Sequence, residues 1–252
     1  MPRDSLKRFI VPPKQIRGST ITLDDPQELH HLRAVLRLKP GDRLICFDGQ
    51  GSEYLGTIDR QTSQQVVIRI ENQLRLSTEQ DPLTLWLVQA LPKSARFDWV
   101  VQKATELGVS RISPLITQRT IVRPSSAGAE AKRTRWQRIA QAAAKQCRRA
   151  TIPTVDAPRR FEEVVTAFSS DSLVLIPTLE SSTIPIGQVL KAASRVTEVV
   201  ILIGPEGDFT ADEVALAKAH GAQPVSLGPL TLRAETAALA SLAVVRYALA
   251  PR

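Results

Sequence analysis

The chain has 252 residues, 43% hydrophobic and 23% charged, so its composition is that of a folded globular protein and excludes general disorder. A net charge of +8 favours a polyanionic partner, although many basic proteins have none. Only two cysteines are present and they lack metal-ligand spacing, which excludes a disulfide framework and predicts a cytoplasmic protein without a metal. No apolar run resembles a signal peptide or is long enough to span a bilayer, so we expect no membrane partner.

Residues 1–76 show short, β-branched or alternating runs that are separated by turn residues. The runs are STITL, LKPGDRLICFDGQGSEYLGTI and QQVVIRI, and one short helix is predicted at ELHHLRAVLRL. This pattern predicts a first domain that is a small antiparallel β-barrel.

Residues 80–252 alternate between apolar strands and helices, which predicts a second, α/β domain with a parallel sheet. The strands are LTLWLVQAL, RISPLIT, SLVLIPT, EVVILIG and PVSLG, and their nearly continuous apolar character is typical of strands covered on both faces. The first helix is predicted to begin at Ser94 and to end at the C′ glycine Gly108.

The segment VVILIGPEGDFTADEV predicts a ligand site at a strand end, where Gly204-Pro205-Glu206-Gly207 precedes a helix capped by Thr210 and Glu213. A dinucleotide is disfavoured because G-x-G-x-x-G is absent, and a P-loop is excluded because no Gly-Lys-Ser/Thr follows. The carboxylate of Glu206 favours a ligand that is neutral or cationic there, such as S-adenosylmethionine. The alternative is that Gly-Pro-Glu-Gly is only a tight βα turn.

A second strand end, in VSLGPLTLRAETAALASLAVV, places Arg233 just before a predicted helix. The helix dipole favours Glu235 in the first turn but repels a cation at this end, so Arg233 is a candidate for contact with ligand or substrate. The alternative is a surface arginine that is paired with Glu235 or Glu206.

These segments carry a resemblance to a known family. LIGPEGDFTADEV and LGPLTLRAETA, together with HHLRAVLRLKPGD, FDGQG, KSARFDWVVQKATELGVSRISPL and RWQRIAQAAAKQCRRATIP, resemble the RsmE family of SPOUT-class 16S rRNA (uracil-N3)-methyltransferases. The resemblance implies an N-terminal PUA-like domain, a C-terminal trefoil-knotted parallel-sheet domain, S-adenosylmethionine as cofactor, a homodimer, and methylation of N3 of a uridine in 16S ribosomal RNA.

The resemblance also implies which residues form the site. Backbone groups of three loops are expected to hold the cofactor, namely those of Thr178, Ile203, Gly204, Pro205, Gly207, Leu227, Gly228 and Leu232. Arg233 is expected to stabilise charge near the reacting base. The sequence departs from the family at four positions. The family commonly has glycine where this chain has Asp208 and Arg148, arginine where it has Leu230, and an acid where it has Lys145.

Residues 129–149 carry seven cations and the single acid Glu130, with an apolar stripe that includes Trp136, which predicts a helix with a basic, RNA-binding face. The alternative is a basic face that serves only solubility. Residues outside this helix that match the family extend the predicted RNA contacts, which are Arg8, His31, Arg37, Lys93, Arg135, Arg138 and Arg149. His31 is equally consistent with a structural histidine. An aromatic content of 4% disfavours a base-stacking platform.

Transfer of a methyl group to N3 requires a group that accepts the N3 proton. The loop motifs contain no His or Cys, so the sequence leaves three candidates: Glu206, a residue of the partner subunit, or water. Two other functions remain open, a non-catalytic RNA-binding protein and a nucleotide-dependent oxidoreductase.

Overall fold

The structure is a computed structural model that describes residues 6–76, 81–93, 96–180, 182–193 and 196–249. The predicted helix start at Ser94 and the predicted domain boundary at 77–79 lie outside these residues. Two compact units are present: Met1–Gln80 with Ala144–Ile152, and Asp81–Ala143 with Pro153–Arg252. Residues 144–152, which the sequence assigned to the second domain, therefore pack with the first.

The first unit is built on a six-stranded sheet. Its elements are β1 (Arg8–Ile10), β2 (Ile16–Arg17), β3 (Thr20–Leu23), α1 (Pro26–His30), β4 (Arg43–Phe47), β5 (Glu53–Gln61) and β6 (Val66–Arg75). The strand order is β1-β4-β5-β6-β3-β2. Neighbours are antiparallel as predicted, except that β1 and β4 are parallel. This exception is sterically allowed because the long connection between these two strands contains α1.

The predicted helix at ELHHLRAVLRL consists of α1 and a π-helical turn at His31–Val35. Asp25 begins α1, since its carboxylate accepts hydrogen bonds from the backbone N–H groups of Gln27 and Glu28, both at 2.9 Å. The segment ends near Arg37, whose φ of 55° lies in the left-handed region.

Residues 144–152 are fixed to the first unit by polar contacts. The Nζ atom of Lys145 forms an ion pair with Glu28, and the backbone carbonyl of Arg149 accepts a hydrogen bond of 3.1 Å from Arg8. Thr151 forms isolated β-bridges with Gly49 and Gln50. The first unit is thus assembled from two separate pieces of the chain.

The second unit is a parallel α/β domain. Its elements are β7 (Thr84–Ala90), α2 (Arg96–Glu106), β8 (Arg111–Ile116), α3 (Ser126–Gln146, whose last three residues belong to the first unit), β9 (Thr154–Val155), β10 (Arg159–Arg160), α4 (Phe161–Val165), β11 (Leu173–Pro177), β12 (Ile184–Pro185), α5 (Ile186–Ala192), β13 (Glu198–Ile203), α6 (Ala211–Ala219), β14 (Ala222–Ser226) and α7 (Ala234–Leu249). The strand order is β10-β8-β7-β13-β11-β14-β12, and β9 pairs with β8.

Every strand pair in this second sheet is parallel. Alternate side chains of the central strands pack in a buried cluster with α4 and α6, while α7 packs on β7 and β13 and against α2 and α5. Helices thus contact the sheet on both faces, which explains why the strand sequences are almost uninterrupted in apolar residues.

Two predicted helix boundaries in this unit are confirmed. Gly108 follows α2 with a φ of 87°, as a C′ glycine does. Thr210 and Glu213 form a reciprocal capping box at the start of α6, with the Glu213 carboxylate accepting a 2.9 Å hydrogen bond from the Thr210 backbone.

Candidate active site and RNA interface

The carboxyl ends of three neighbouring strands meet at one cavity of the second unit. Strand β11 lies between β13 and β14 in the sheet, so the loops that leave these strands emerge side by side at one edge. They enclose a cavity of about 440 Å³, within the usual size range of small-molecule sites. The lining residues are Arg96, Pro177, Thr178, Leu179, Ile203, Gly204, Pro205, Glu206, Asp208, Leu227, Thr231, Leu232, Arg233, Ala234 and Ala237.

Gly204 lies at the point where β13 ends and the chain turns into the cavity wall. A Cβ atom at this position would lie 3.1 Å from Oδ1 of Asp208 and from the backbone N of Phe209. The glycine therefore lets the returning loop approach the strand end closely.

The loop from Gly204 to Phe209 is bonded to the ends of other strands. The Oε1 atom of Glu206 accepts a 3.1 Å hydrogen bond from the backbone N–H of Lys93, in the loop that follows β7. Arg119, in the loop that follows β8, donates hydrogen bonds to the backbone carbonyls of Gly207 and Phe209. The segment is therefore held in place by the loops after two other strands, which a tight βα turn alone does not require.

Asp208 joins the same loop to a third strand end. Its Oδ2 atom accepts 3.0 Å hydrogen bonds from the hydroxyl of Thr178 and the backbone N–H of Leu179, both in the loop that follows β11. The sequence departure at Asp208 therefore lies in the cavity wall and connects two of the loops that form it.

Arg233 lines the cavity and is exposed. Its expected alternative partners are engaged elsewhere: Glu235 forms an ion pair with Arg96 at 3.2 Å, and Glu206 accepts a bond from Lys93. Among the residues that the structure describes, Arg233 has no ion-pair partner. Its charge is therefore available to a molecule in or near the cavity.

Most of the predicted cofactor residues line the cavity, and two do not. Thr178, Ile203, Gly204, Pro205, Leu227 and Leu232 line it, together with both residues predicted to be catalytic, Glu206 and Arg233. Gly207 and Gly228 do not: the carbonyl of Gly207 is bonded to Arg119, and Gly228 has a φ of 120°, so it supplies a backbone shape in the loop after β14. Arg96 and Leu179 also line the cavity but were not predicted, because only folding brings α2 and the loop after β11 to this edge.

A larger cleft of about 750 Å³ lies elsewhere in the second unit, beside α4 and the start of α6. Its charges are mixed, and none of the predicted cofactor or catalytic residues lines it; the ionisable residues are Arg123, Arg159, Arg160, Glu162, Glu163, Asp212 and Glu213. We assign the candidate active site to the smaller cavity because strand ends and the unpaired Arg233 converge there.

The smaller cavity has groups that fit S-adenosylmethionine. Glu206 is an exposed acid in the wall, suited to a ligand with cationic groups, whereas the carboxylate of Asp208 and the guanidinium of Arg96 are bonded to protein groups. The apolar side chains of Ile203, Leu227 and Leu232 offer a surface for a flat ring. The described residues contain no cluster of His, Cys, Asp or Glu that would hold a metal ion.

The predicted basic face lies on α3. Trp136, Ala140 and Ala143 are buried, and the Trp136 ring packs on Phe97 with its Nε1 donating a 3.0 Å hydrogen bond to Asp98. The apolar stripe therefore anchors this helix in the second unit, and its polar face is turned outward.

The cations on this face differ in their availability. Arg133 is paired with Glu130, and this hydrogen bond holds the pKa of the Glu130 carboxyl below its ordinary value. Arg135 is paired with Asp98 although its side chain is 66% exposed. Arg138 is exposed and, in the described part of the chain, has no acidic partner. Lys93, in the loop after β7, is also exposed.

In the first unit, the expected RNA contact of Arg8 is not supported by its geometry. Its side chain is 8% exposed and pairs with Glu53 at 2.7 Å, so its charge is neutralised inside the unit. Arg149 is partly buried and donates a 3.1 Å hydrogen bond to the Thr151 hydroxyl. His31 and Arg37 are exposed, with the His31 ring packed edge-on against Phe9.

No described helix is long and apolar enough to cross a membrane.

Comparisons with known proteins identify the family. An RNA methyltransferase domain matches residues 79–246, and a PUA domain of RNA methyltransferases matches residues 23–71. The chain is 36% identical to ribosomal RNA small subunit methyltransferase E of Synechocystis, covering 94% of this chain and 76% of that protein. The corresponding protein of Bacillus subtilis is 29% identical, with 88% of each chain covered.

Solved structures agree with this assignment. A methyltransferase of Legionella pneumophila in complex with S-adenosylmethionine is 34% identical, with a TM-score of 0.84 over 96% of this chain and 98% of that one. Ribosomal RNA small subunit methyltransferase E of Neisseria gonorrhoeae, also bound to S-adenosylmethionine, is 31% identical with a TM-score of 0.84 over 96% and 97%.

The predicted fold class, a SPOUT parallel-sheet domain with an N-terminal PUA-like domain, is confirmed, and so is S-adenosylmethionine as the cofactor at the level of the family. The chain belongs to the ribosomal RNA small subunit methyltransferase E family of RNA methyltransferases.

Proposed function

We propose that this protein transfers a methyl group from S-adenosylmethionine to N3 of a uridine in 16S ribosomal RNA, and that it does so as a homodimer. The observation that carries the proposal is the convergence of three strand-end loops on one cavity with an unpaired arginine, Arg233, in its wall. Relatives that are named ribosomal RNA methyltransferases, one of them with a structure bound to S-adenosylmethionine, support the same class of reaction.

The cofactor is held mainly by the backbone of the three loops. Gly204 and Pro205 supply the wall at the end of β13, Thr178 the wall at the end of β11, and Leu227 and Leu232 the wall after β14. When bound, S-adenosylmethionine supplies a methyl group that its sulfonium sulfur activates for transfer. These residues orient that group toward a base that enters from the open side of the cavity.

The chain must remove the N3 proton and stabilise the electron pair that remains on the uracil ring. Methyl transfer then forms a bond from nitrogen to carbon and breaks the bond from sulfur to carbon, so the sulfonium charge disappears together with the negative charge of the base. Arg233 is the cation that stabilises the uracil anion, because its guanidinium lines the cavity without an ion-pair partner among the described residues.

Glu206 is the residue of this chain that we propose to receive the proton. Two carboxylates line the cavity, and both oxygens of Asp208 already accept hydrogen bonds, from Phe209, Thr178 and Leu179. Glu206 is exposed, and Oε1 accepts a bond from Lys93, while Oε2 is available for a proton. A group of the partner subunit and water are the competing acceptors.

RNA binding is assigned to the outward face of α3, with Arg135 and Arg138 as phosphate contacts and Lys93 beside the cavity. His31, Arg37 and Arg149 are proposed contacts of the PUA-like unit. Arginine and lysine side chains bind phosphate without reading the base, so these residues position the RNA and the cavity selects the uridine.

The homodimer is proposed from the surface of α7 and α2. Tyr247 and Val244 on α7 are 84% and 39% exposed, and Trp99 on α2, which packs against α7, is 46% exposed. Large apolar side chains that stay exposed on two packed helices are candidates for a surface that another protein covers.

The proposal is tested by incubating the protein with S-adenosylmethionine and small ribosomal subunits that lack the modification, followed by mass spectrometry of the nucleosides. The expected product is N3-methyluridine at one position of 16S RNA. A methyl group on another atom would contradict the N3 assignment, and methylation of another RNA would contradict the assignment of 16S RNA as the substrate. Calorimetry with S-adenosylmethionine and with NAD separates the competing functions, since an oxidoreductase binds the second and a non-catalytic RNA-binding protein binds neither.

A further inference from the structure

Asp208 has a backbone conformation that residues with a side chain rarely adopt. Its φ of 59° lies in the left-handed region, where the Cβ atom crowds the backbone and where Asp, Asn and above all Gly are tolerated. Asp208 therefore combines a backbone conformation that glycine adopts without strain with a side-chain carboxylate.

Both oxygens of that carboxylate accept hydrogen bonds. Oδ1 accepts a 2.8 Å hydrogen bond from the backbone N–H of Phe209, and Oδ2 accepts 3.0 Å bonds from the Thr178 hydroxyl and the Leu179 N–H. The last two donors lie 30 and 29 residues away along the chain. Asp208 thus connects the loop after β13 with the loop after β11.

At this point the loop after β11 has one other hydrogen bond to a neighbouring strand among the described residues, a 3.3 Å bond from the backbone N–H of Thr178 to the carbonyl of Val225, and this bond does not reach Leu179. Thr178 is half-buried, and Leu179 is 68% exposed although it lines the cavity. Apolar burial therefore contributes little to the position of Leu179. On the other side, Oδ1 of Asp208 lies 3.1 Å from the place where a Cβ of Gly204 would be, so the carboxylate is packed against the strand end.

We propose that Asp208 is a positioning residue which holds the loops after β11 and β13 at the separation that the cofactor cavity requires. The inference rests on the proposed function, in which these loops bind S-adenosylmethionine. Asp208 itself acts through Thr178 and Leu179, which line the cavity beside it.

The test uses three variants of the full-length protein and two readouts. Asp208→Gly keeps the left-handed backbone and removes the carboxylate, whereas Asp208→Asn keeps one oxygen that accepts a hydrogen bond. Asp212→Asn is the matched control, since Asp212 is an exposed acid four residues later whose side chain has no hydrogen bond or ion pair in the described part of the chain. The readouts are amide hydrogen exchange at Leu179 without cofactor and the Kd of S-adenosylmethionine by calorimetry.

For Asp208→Gly we expect faster exchange at Leu179 and a Kd that rises roughly 10-fold, the scale of one lost hydrogen bond to a charged group. Asp208→Asn is expected to lie between this variant and the wild type, and Asp212→Asn to match the wild type. Thr178→Val, which removes only the hydroxyl donor, should weaken binding in the wild type and have less effect when combined with Asp208→Gly.

Unchanged exchange at Leu179, or an unchanged Kd in Asp208→Gly, would overturn the positioning role. Failure of the wild type to bind S-adenosylmethionine is a different result, because it contradicts the proposed function and with it the role that we assign to the hydrogen bonds of Asp208. The exchange measurement then still reports whether the carboxylate holds the loop.

Discussion

The guanidinium of Arg96, in the first turn of α2, lies 3.2 Å from the carboxylate of Glu235, in the first turn of α7. Glu235 is the acid closest in sequence to Arg233, and the ion pair with Arg96 occupies it. The two arginines that line the cavity therefore differ. Arg96 is neutralised by Glu235, whereas Arg233 has no ion-pair partner among the residues that the structure describes.

Arg233→Ala is expected to lower the single-turnover methylation rate by about 10²- to 10³-fold, the scale seen when one preorganised donor is removed. Its stability should change by less than about 1 kcal/mol, because a cation before a helix start is not favoured there. The Kd of S-adenosylmethionine should change much less than the rate. The control is Arg160→Ala, an exposed arginine that also precedes a helix but lies outside the cavity. Equal losses of rate, affinity and melting temperature in Arg233→Ala would make Arg233 a structural residue.

Gly204→Ala is expected to weaken cofactor binding, because the new Cβ would lie 3.1 Å from both Asp208 and the backbone of Phe209. Gly187→Ala is the matched control: Gly187 is in the first turn of α5, and a Cβ added there would have no other atom within 4 Å. This control should be neutral, or stabilising by up to about 1 kcal/mol through helix propensity. Calorimetry and thermal unfolding of both variants check the prediction, which fails if Gly204→Ala binds as tightly as Gly187→Ala.

Arg138→Ala should weaken RNA binding and reduce the slope of log K against log salt by about one unit, as expected for one lost phosphate contact. Arg133→Ala on the same helix is the control, because its guanidinium is already paired with Glu130 and should contribute less to the slope. The measurement is a salt titration of binding to a 16S RNA fragment. A slope that is the same for the wild type and Arg138→Ala would remove this residue from the interface.

Tyr247→Asp should shift the protein from dimer to monomer, since it introduces a charge at an exposed position of α7, on the surface that we propose the partner subunit covers. Sedimentation at micromolar concentration measures the change against a monomer mass of 27.6 kDa. The folded monomer should keep the circular dichroism of the wild type. A wild type that sediments only as a monomer would contradict the proposed dimer.

Cys46 is buried in β4, and burial, with a smaller contribution from Glu28, raises the pKa of its thiol well above the ordinary value of 9.0. Below pH 9 the thiol is protonated in both the folded and the unfolded chain and has no effect. Above it the unfolded chain ionises and the folded chain does not, so this thiol should lower the free energy of unfolding by an amount on the order of 1 kcal/mol at pH 10. Urea unfolding of the wild type and Cys46→Ala at pH 8 and 10 should show the smaller pH effect in the variant.

Local sequence signals predicted those features that depend on a few neighbouring residues. The capping box of Thr210 and Glu213 and the C′ glycine Gly108 are formed by short-range hydrogen bonds and backbone conformation, and both are present. Apolar residues of α2 also recur at helical spacing in the sequence, and four of them, Phe97, Val100, Val101 and Ala104, are buried.

Features that depend on distant partners were not predictable from one sequence. Arg8 matches a family position, but only the pairing of β1 with β4, and of β4 with β5, brings Glu53 to its side chain. The bond between Asp208 and Leu179 likewise depends on β11 and β13 being neighbours in the sheet. The predicted loops line one cavity because this strand order, which local propensity does not determine, places their strands side by side.

The grouping of residues 144–152 with the first unit has a consequence for how the chain folds as it is synthesised. Domains generally fold in order from the N-terminus during translation. Here the partners of Arg8, Glu28 and Gly49 in that segment, namely Arg149, Lys145 and Thr151, emerge from the ribosome only after β7, α2 and β8. The N-terminal unit cannot complete its native contacts until the chain has grown past Ile152, so a protein cut at the apparent domain boundary would lack part of its own fold.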